Sequence, residues 1–222
     1  MTNVMNNISI GAVDDGYAQV KSAVFVEGKP VCSKYVTNIC PGQNAVASFE
    51  GDGNKNAGRT YSTGGEYFTV GGLDAGETTK YDGFHTSPLN RVAVNHALFE
   101  HGLANKEVMV CVGLPVSDFF DPQGKRNDSL ISLKEENLLQ KVVKVNVDED
   151  ECVNIKQVKI LSQAVAAYID AAFDWEMNEI IDPASPTVIV DIGGRTTDVA
   201  LILDGHQIDM SRSGTENIGV LD

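Results

Sequence analysis

Residues 13–21, Val-Asp-Asp-Gly-Tyr-Ala-Gln-Val-Lys, and residues 191–198, Asp-Ile-Gly-Gly-Arg-Thr-Thr-Asp, follow the same plan. In each stretch an apolar strand ends in aspartate, one or two glycines turn the chain, and a second strand follows. Glycine lets the backbone turn sharply and bring successive N–H groups close to a ligand. Such N–H groups form an anion-binding concavity that suits phosphate. The two stretches therefore predict a pair of phosphate-binding hairpins.

The aspartates at the two strand ends suggest a metal as well. Asp14 and Asp191 are placed to hold Mg²⁺, which proteins bind through few carboxylates and several waters. Lys21 follows on the outgoing strand, at a spacing that returns its ammonium to the phosphates. Two such hairpins facing each other would clamp a di- or triphosphate together with its metal. The plainer alternative for each hairpin is a simple turn, with Lys21 as a solvated strand residue.

Composition limits the classes of partner. The chain has 222 residues and a formal net charge of −14, from 31 acidic and 17 basic side chains. This balance argues against direct binding to DNA or to an anionic membrane, because phosphate backbones are bound by clustered Lys and Arg. The four cysteines form no C-x-x-C pair and are expected to be free thiols. Without a signal peptide or a long apolar segment, the chain is expected to be cytoplasmic.

Hydrophobic patterning predicts strands and helices in alternation. A helix should begin at Pro88 with Ser87 as its N-cap, and Gly102 should end it. Residues 43–86 are rich in Gly, Asn and Asp, which is typical of a small loop-rich excursion. A second helix is predicted over residues 162–177, capped by Ser162. The predicted strands are 8–14, 19–26, a third ending near 36, 107–114, the pair 138–147 and 152–161, 187–191 and 197–203, with a hairpin over 60–70 and a two-residue turn at 204–205.

Residues 13–21 resemble the phosphate-1 motif of the actin, Hsp70 and sugar-kinase superfamily, and residues 191–198 resemble its phosphate-2 motif. Between them, residues 91–103 and the stretch 111–121, Cys-Val-Gly-Leu-Pro-Val-Ser-Asp-Phe-Phe-Asp, resemble segments of the ParM/StbA proteins. The resemblance covers nearly the whole chain and is weak across 43–86. It implies an α/β fold, with an actin-like (ribonuclease H-like) mixed sheet flanked by helices and a small loop-rich inserted subdomain.

The resemblance also assigns roles to single residues. Asp14 would organise the hydration shell of Mg²⁺, and Asp191 would face the metal and the attacking water. Gln163 matches the superfamily position that orients that water, which suffices because phosphoryl transfer needs mainly positioning and charge stabilisation. Asp198 is left open as either a ligand or an inward polar anchor. The residues expected to bind the nucleotide are Asp15, Gly16, Tyr17, Ala18, Lys21, Gly193, Gly194, Arg195 and Thr196.

The function implied by the resemblance is Mg²⁺-dependent hydrolysis of ATP or GTP, coupled to assembly of filaments that segregate plasmid DNA through a DNA-bound adaptor of ParR type. Residues 1–42 and 87–180 would form the large subdomain of actin-like domain I, residues 43–86 the inserted subdomain, and residues 181–222 the incomplete start of domain II. The alternatives are another actin-superfamily ATPase or sugar kinase, or a truncated, non-catalytic interaction module. Whether this short chain hydrolyses nucleotide stays open. The apolar face of residues 187–211 is expected to be covered by a second copy, a swapped element or a partner chain.

Overall fold

A computed structural model describes residues 8–43, 59–71, 79, 81–145 and 150–220. Contacts divide the chain into two compact units, Met1–Val112 with Lys134–Lys159, and Gly113–Leu133 with Ile160–Asp222. The predicted subdomain boundaries lie at other positions and stay a prediction. Among the described residues, no helix is long and apolar enough to cross a membrane.

The main sheet of the first unit is mixed, as predicted, and has the strand order β10-β7-β1-β2-β3. β1 pairs antiparallel with β2 and parallel with β7, so the aspartates at the end of β1 lead directly into a hairpin. The buried positions of β2 alternate, because successive side chains of a strand point to opposite faces. The strands are β1 (Ser9–Asp15), β2 (Gln19–Val26), β3 (Lys29–Val36), β7 (Glu107–Leu114) and β10 (Asn154–Ser162).

Helix α1 (Pro88–Glu100) packs on β1 and β2 and has the predicted ends. The Ser87 side chain accepts a hydrogen bond from the backbone N–H of Asn90 at 3.2 Å, and Pro88 occupies the first helical position. Gly102 lies just past the helix with φ 69°, the left-handed conformation that glycine adopts without strain. Every residue from Leu89 to Phe99 is buried, so α1 lies inside the unit rather than on its surface.

A second sheet of the same unit has the order β4-β6-β5-β8-β9. The predicted hairpin over 60–70 is present as β5 and β6, and later segments of the chain add β8 and β9. Residues 44–58, 72–78 and 80 of the predicted insertion, and residues 146–149, lie outside the described residues. The strands are β4 (Ile39–Pro41), β5 (Thr60–Thr63), β6 (Glu66–Val70), β8 (Val143–Val145) and β9 (Glu151–Cys152).

Of the predicted strand pair 138–147 with 152–161, the second strand is largely confirmed, since residues 154–161 lie in β10. The first strand and most of the pairing are wrong. Residues up to Leu139 belong to helix α3 (Asp128–Leu139), which buries Leu138. Only the short β8 and β9 pair with each other, while β10 belongs to the main sheet. A short apolar run is compatible with either a buried helix end or a strand. At Leu138 and Leu139 the chain is helical, and the helix buries Leu138 in the core.

In the second unit, helix α4 (Gln163–Ala172) packs on a four-stranded sheet. The order is β11-β12-β13, with β14 also paired to β12, and α2 (Val116–Phe119) lies against β12 and β14. One cluster of the core joins Val116, Ala164 and Ala200. The strands are β11 (Thr187–Ile192), β12 (Thr197–Leu203), β13 (Gln207–Ile208) and β14 (Gly214–Glu216).

Helix α4 ends at Ala172 and not at the predicted Met177. The Asp174 carboxylate accepts hydrogen bonds from the backbone N–H groups of Glu176 at 2.9 Å and Asn178 at 2.8 Å. An aspartate that bonds nearby N–H groups gives the backbone an alternative to the helix. The turn that it forms stops α4.

Candidate functional site

The predicted site residues fall into two groups, one in each unit. Asp14 to Lys21 form the β1–β2 hairpin, and residues 191–196 with Gln163 belong to the second unit. The residues of the first group lie together in one hairpin, and residues 191–196 lie together in the β11–β12 hairpin, while Gln163 begins α4.

At the first turn, the two charged residues predicted to contact metal and phosphate lie beside each other. Asp14 and Lys21 are directly opposite across β1 and β2, and the Lys21 Nζ lies 2.9 Å from the Asp14 Oδ2. Their side chains are 40% and 60% exposed, so the pair is open to solvent. An exposed ion pair contributes little to stability, on the order of 0–1 kcal/mol. Both groups can therefore exchange partners at small cost.

The turn itself needs glycine at position 16. A Cβ on Gly16 would lie 2.7 Å from the carbonyl oxygen of Gln19, too close for any side chain. Thr37 fixes the turn from one side, because its Oγ1 donates to the Gly16 carbonyl at 2.8 Å and its N–H donates to the Ala18 carbonyl at 2.9 Å. The backbone of this predicted phosphate loop is thus held by its neighbours.

Asp15 occupies a different environment from Asp14. Its side chain is fully buried, and its Oδ2 accepts hydrogen bonds from Lys134 Nζ at 2.7 Å and from the Asn90 side-chain amide. His85 Nδ1 lies 3.4 Å from the same oxygen. Burial opposes ionisation of Asp15, but the charge of Lys134 and the contact with His85 hold its pKa below the usual range. The carboxylate is an internal anchor, and the nucleotide contact predicted for Asp15 stays a prediction.

Tyr17 ties the turn to the segment that precedes α1. Its ring packs against the rings of Phe84 and His85, with centroids 5.3 Å and 5.2 Å apart. Its carbonyl accepts a hydrogen bond from Thr79 Oγ1 at 2.7 Å. The first turn is therefore held both by its own hairpin and by Thr79, Phe84 and His85.

At the second turn, a buried aspartate again stands close to a more open one. Asp198 is opposite Asp191 in the β11–β12 pair, and its Oδ1 accepts hydrogen bonds from the Val116 N–H at 3.1 Å and from the Thr215 hydroxyl. Burial raises the pKa of Asp198, and the negative charges of Asp191 and Asp118 raise it further. Of the two roles left open for Asp198, these contacts match the inward anchor.

A later segment lies directly against the second turn. The Gly193 N–H donates to the Thr196 carbonyl at 2.8 Å and closes the turn, and the Val220 N–H donates to the Gly193 carbonyl at 3.0 Å. A Cβ on Gly219 would lie 2.5 Å from the backbone nitrogen of Arg195 and from the carbonyl group of Gly194. Gly219 was not among the predicted site residues, because the sequence gives no sign that it meets residues 194–195.

Gln163 is the first residue of α4 and lies over the end of β7. A Cβ on Gly113 would be 2.5 Å from the Gln163 Cγ, so glycine is what lets this side chain lie there. The role of Gly113 was also missed. A glycine inside an apolar strand often marks such a close approach, so a signal was present in the stretch 107–114.

The family model described as plasmid segregation protein ParM, N-terminal, matches residues 9–174, more than half of the chain. The chain belongs to the ParM plasmid segregation family. The family drawn from residues 13–21, 91–103, 111–121 and 191–198 is thereby confirmed, and so is the actin-like α/β fold. No curated protein sequence is significantly similar to this ParM-family chain.

Solved structures with the same fold include actin-like filament proteins. The apo ParM protein of psk41 has a TM-score of 0.70 at 16% identity, over 96% of this chain and 67% of its own. The archaeal actin homologue Ta0583 in complex with ADP has a TM-score of 0.65 at 21% identity, over 96% and 62%. An AlfA filament bound to AMPPNP has a TM-score of 0.60 at 16% identity, over 97% and 72%. This ParM-family chain thus spans between 62% and 72% of the lengths of these three proteins.

Proposed function

We propose that this chain binds a Mg²⁺–nucleoside triphosphate through its two aspartate–glycine turns and assembles into filaments that segregate plasmid DNA. The observation that carries the proposal is the solvent-exposed Asp14–Lys21 pair, which lies beside a turn that accepts only glycine at position 16. Solved relatives of the same fold carry ADP or AMPPNP, and one of them is a filament. ADP and AMPPNP are bound by those proteins, and nucleotide binding by this chain is proposed from the shared fold.

Each predicted residue has a defined task in this scheme. Bound Mg²⁺ would neutralise phosphate charge, with Asp14 organising its hydration shell and Asp191 facing the metal and the attacking water. Lys21 would leave Asp14 for a phosphate oxygen when nucleotide binds, an exchange that its exposure permits. The turns around Gly16 and Gly193 would offer backbone N–H groups to the phosphates.

Gln163 would orient the attacking water. A glutamine side chain is not a strong base, so its contribution is positioning, which is most of what phosphoryl transfer requires. Slow hydrolysis follows from this choice of residue. A slow step suits a filament whose lifetime is timed by its nucleotide.

The route to DNA would be indirect. A formal net charge of −14 disfavours direct contact with phosphate backbones, which are bound by clustered Lys and Arg. We therefore propose a DNA-bound adaptor of ParR type as its partner, and the cytoplasm as its location.

The decisive experiment is a calorimetric titration of the chain with ATP and with GTP, with and without Mg²⁺. Asp14→Ala and Asp191→Ala should each weaken Mg²⁺-dependent binding at least about tenfold, since each removes a charged interaction. Asp170→Ala is the matched control, because Asp170 is an exposed acid on α4 and alanine favours the helix. Equal binding by all four proteins would contradict the assignment of the site.

Pelleting of the same samples tests the second half of the proposal. Nucleotide-dependent sedimentation of the wild type, lost in Asp14→Ala, is the expected result. Turnover stimulated by a sugar, without sedimentation, would instead favour the sugar-kinase alternative. A chain that neither binds at millimolar nucleotide nor sediments would be a non-catalytic module.

A further inference from the structure

A buried charged cluster lies directly behind the first turn. Lys134 and Asp15 are both fully buried, and their charged atoms are 2.7 Å apart. The Lys134 Nζ is also 3.3 Å from His85 Nδ1, and the Asn90 amide donates to the same Asp15 oxygen. Three segments that are distant in sequence, the turn before α1, α1 and α3, therefore converge on one carboxylate.

The Asp15 carboxylate is important for the turn because of its position in the chain. Asp15 is the last residue of β1 and comes directly before Gly16. Because strand side chains alternate, Asp14 points to the open side of the hairpin while Asp15 points inward. Asp15, which points inward, is held by the Lys134 ammonium, and Asp14, which points outward, presents its carboxylate to solvent. Fixing Asp15 fixes the backbone from which both Asp14 and the turn begin.

A charged pair is a costly way to fill a protein interior. Removing two charges from water is expensive, and an apolar pair of similar volume often gives equal or greater stability. An ion pair adds a defined geometry, because the carboxylate must stay within hydrogen-bond distance and angle of its partner. A cluster of this kind next to an exposed, charged turn fits a positioning role better than a purely structural one.

We infer that Lys134 is a positioning residue for the first turn, holding the Asp15 backbone so that Asp14 and the following N–H groups keep one arrangement. The inference deepens the proposed function and rests on it for the nucleotide readout. The effect on the turn itself is independent of any ligand.

The test compares Lys134→Met with the charge-neutral double variant Asp15→Asn/Lys134→Met. The single variant leaves a buried carboxylate without its cation and should lower the melting temperature strongly. The double variant removes both charges and should recover most of that loss. If Lys134 positions the turn, the double variant should still bind Mg²⁺–ATP at least about tenfold more weakly than the wild type.

Hydrogen exchange gives a readout that needs no nucleotide. In the double variant, the peptide covering residues 12–22 should exchange at least about tenfold faster than in the wild type, while residues 197–211 keep their rate. Lys156→Met is the control, because it removes an exposed lysine whose Nζ lies 3.5 Å from Glu107 in the same unit. It should change neither exchange nor melting.

Recovered stability with wild-type exchange over residues 12–22 would overturn the inference and leave the cluster a structural feature. If the wild type binds no nucleotide, the proposed function fails, yet the exchange comparison still decides whether Lys134 positions the turn. If the double variant does not fold, Lys134→Arg replaces it. That change keeps the positive charge but puts a larger side chain at a fully buried position, and it should speed exchange of the same peptide about threefold, whereas an unchanged rate would again contradict the inference.

Discussion

Gly219 lies so close to residues 194 and 195 that no side chain fits between them. An added Cβ would meet backbone atoms at 2.5 Å, and backbone cannot swing aside as a flexible side chain can. Gly219→Ala should therefore shift the second turn, destabilise the fold by about 1–3 kcal/mol and weaken nucleotide binding. Chemical denaturation and calorimetry measure the two effects.

Gly214→Ala is the control for that change. A Cβ on Gly214 meets only the Ser117 Oγ, at the ordinary contact distance of 3.8 Å. Similar losses in both variants would mean that the contact at Gly219 has no special role.

The contact between Gly113 and Gln163 gives a second prediction at this scale. Gly113→Ala places a Cβ 2.5 Å from the Gln163 Cγ and should push the side chain from its position. Because we propose that Gln163 orients water, nucleotide hydrolysis should fall to the level of Gln163→Ala with little change in affinity. Adding Gln163→Ala to Gly113→Ala should cause no further loss, since both changes remove one function. A fully additive double variant would argue against a shared mechanism.

Among the helices and strands, the features predicted correctly are those set by a few neighbouring residues, such as helix ends and tight turns. The serine cap, the proline and the terminal glycine of α1 were read correctly because each acts within a few residues of the helix end. Turn residues likewise located Asp204–Gly205, where both φ angles are positive. β8 and β9 were mispredicted because strands of two or three residues exist only through pairing with distant segments.

The same limit applies to the site. Residues 14–21 and 191–196 were predicted because an aspartate next to glycine at a strand end is a local pattern that indicates phosphate and metal binding. Lys134 was missed because α3 was not predicted, and no local pattern connects it with Asp15. A buried ion pair between residues so far apart is a property of the packing.

His96 yields a prediction about the packing of α1 with the second sheet of its unit. Its Nδ1 lies 2.7 Å from the Tyr61 hydroxyl on β5, in a buried contact. Burial, together with the positive charges of Arg59 and Lys144, lowers the pKa of His96 to about 4. The unfolded chain binds the proton more tightly than the folded one, so this contribution to stability is complete above about pH 6.5 and is lost as the pH falls toward 4.

The loss at the lower end of that window should be on the order of 2–3 kcal/mol. Unfolding free energies of the wild type and of His96→Gln, measured between those pH values, isolate it, because the difference between the two curves removes the carboxylates common to both. The exposed His206 supplies the control variant His206→Gln. Parallel curves for the wild type and His96→Gln would show that His96 does not titrate in this way.

At the scale of the whole molecule, an apolar strand face and a large net charge act in opposite directions. Val188, Val190 and Ile192 on β11 are 56%, 57% and 60% exposed, a contiguous stripe of the kind that marks an interaction surface. The formal charge of −14 makes copies of the chain repel each other. Self-association through this stripe should therefore strengthen as salt screens the repulsion.

Sedimentation velocity over a range of protein and salt concentrations measures this balance. Val188→Lys/Val190→Lys adds charge to the stripe and should abolish association at every salt concentration. Leu133→Lys adds charge at another exposed apolar position, 55% exposed, and should leave association unchanged. Association that weakens as salt rises would indicate contacts between charged groups, and the apolar stripe would then have another partner. A stripe that mediates assembly gives the salt dependence of a hydrophobic contact, opposite to that of an ionic one.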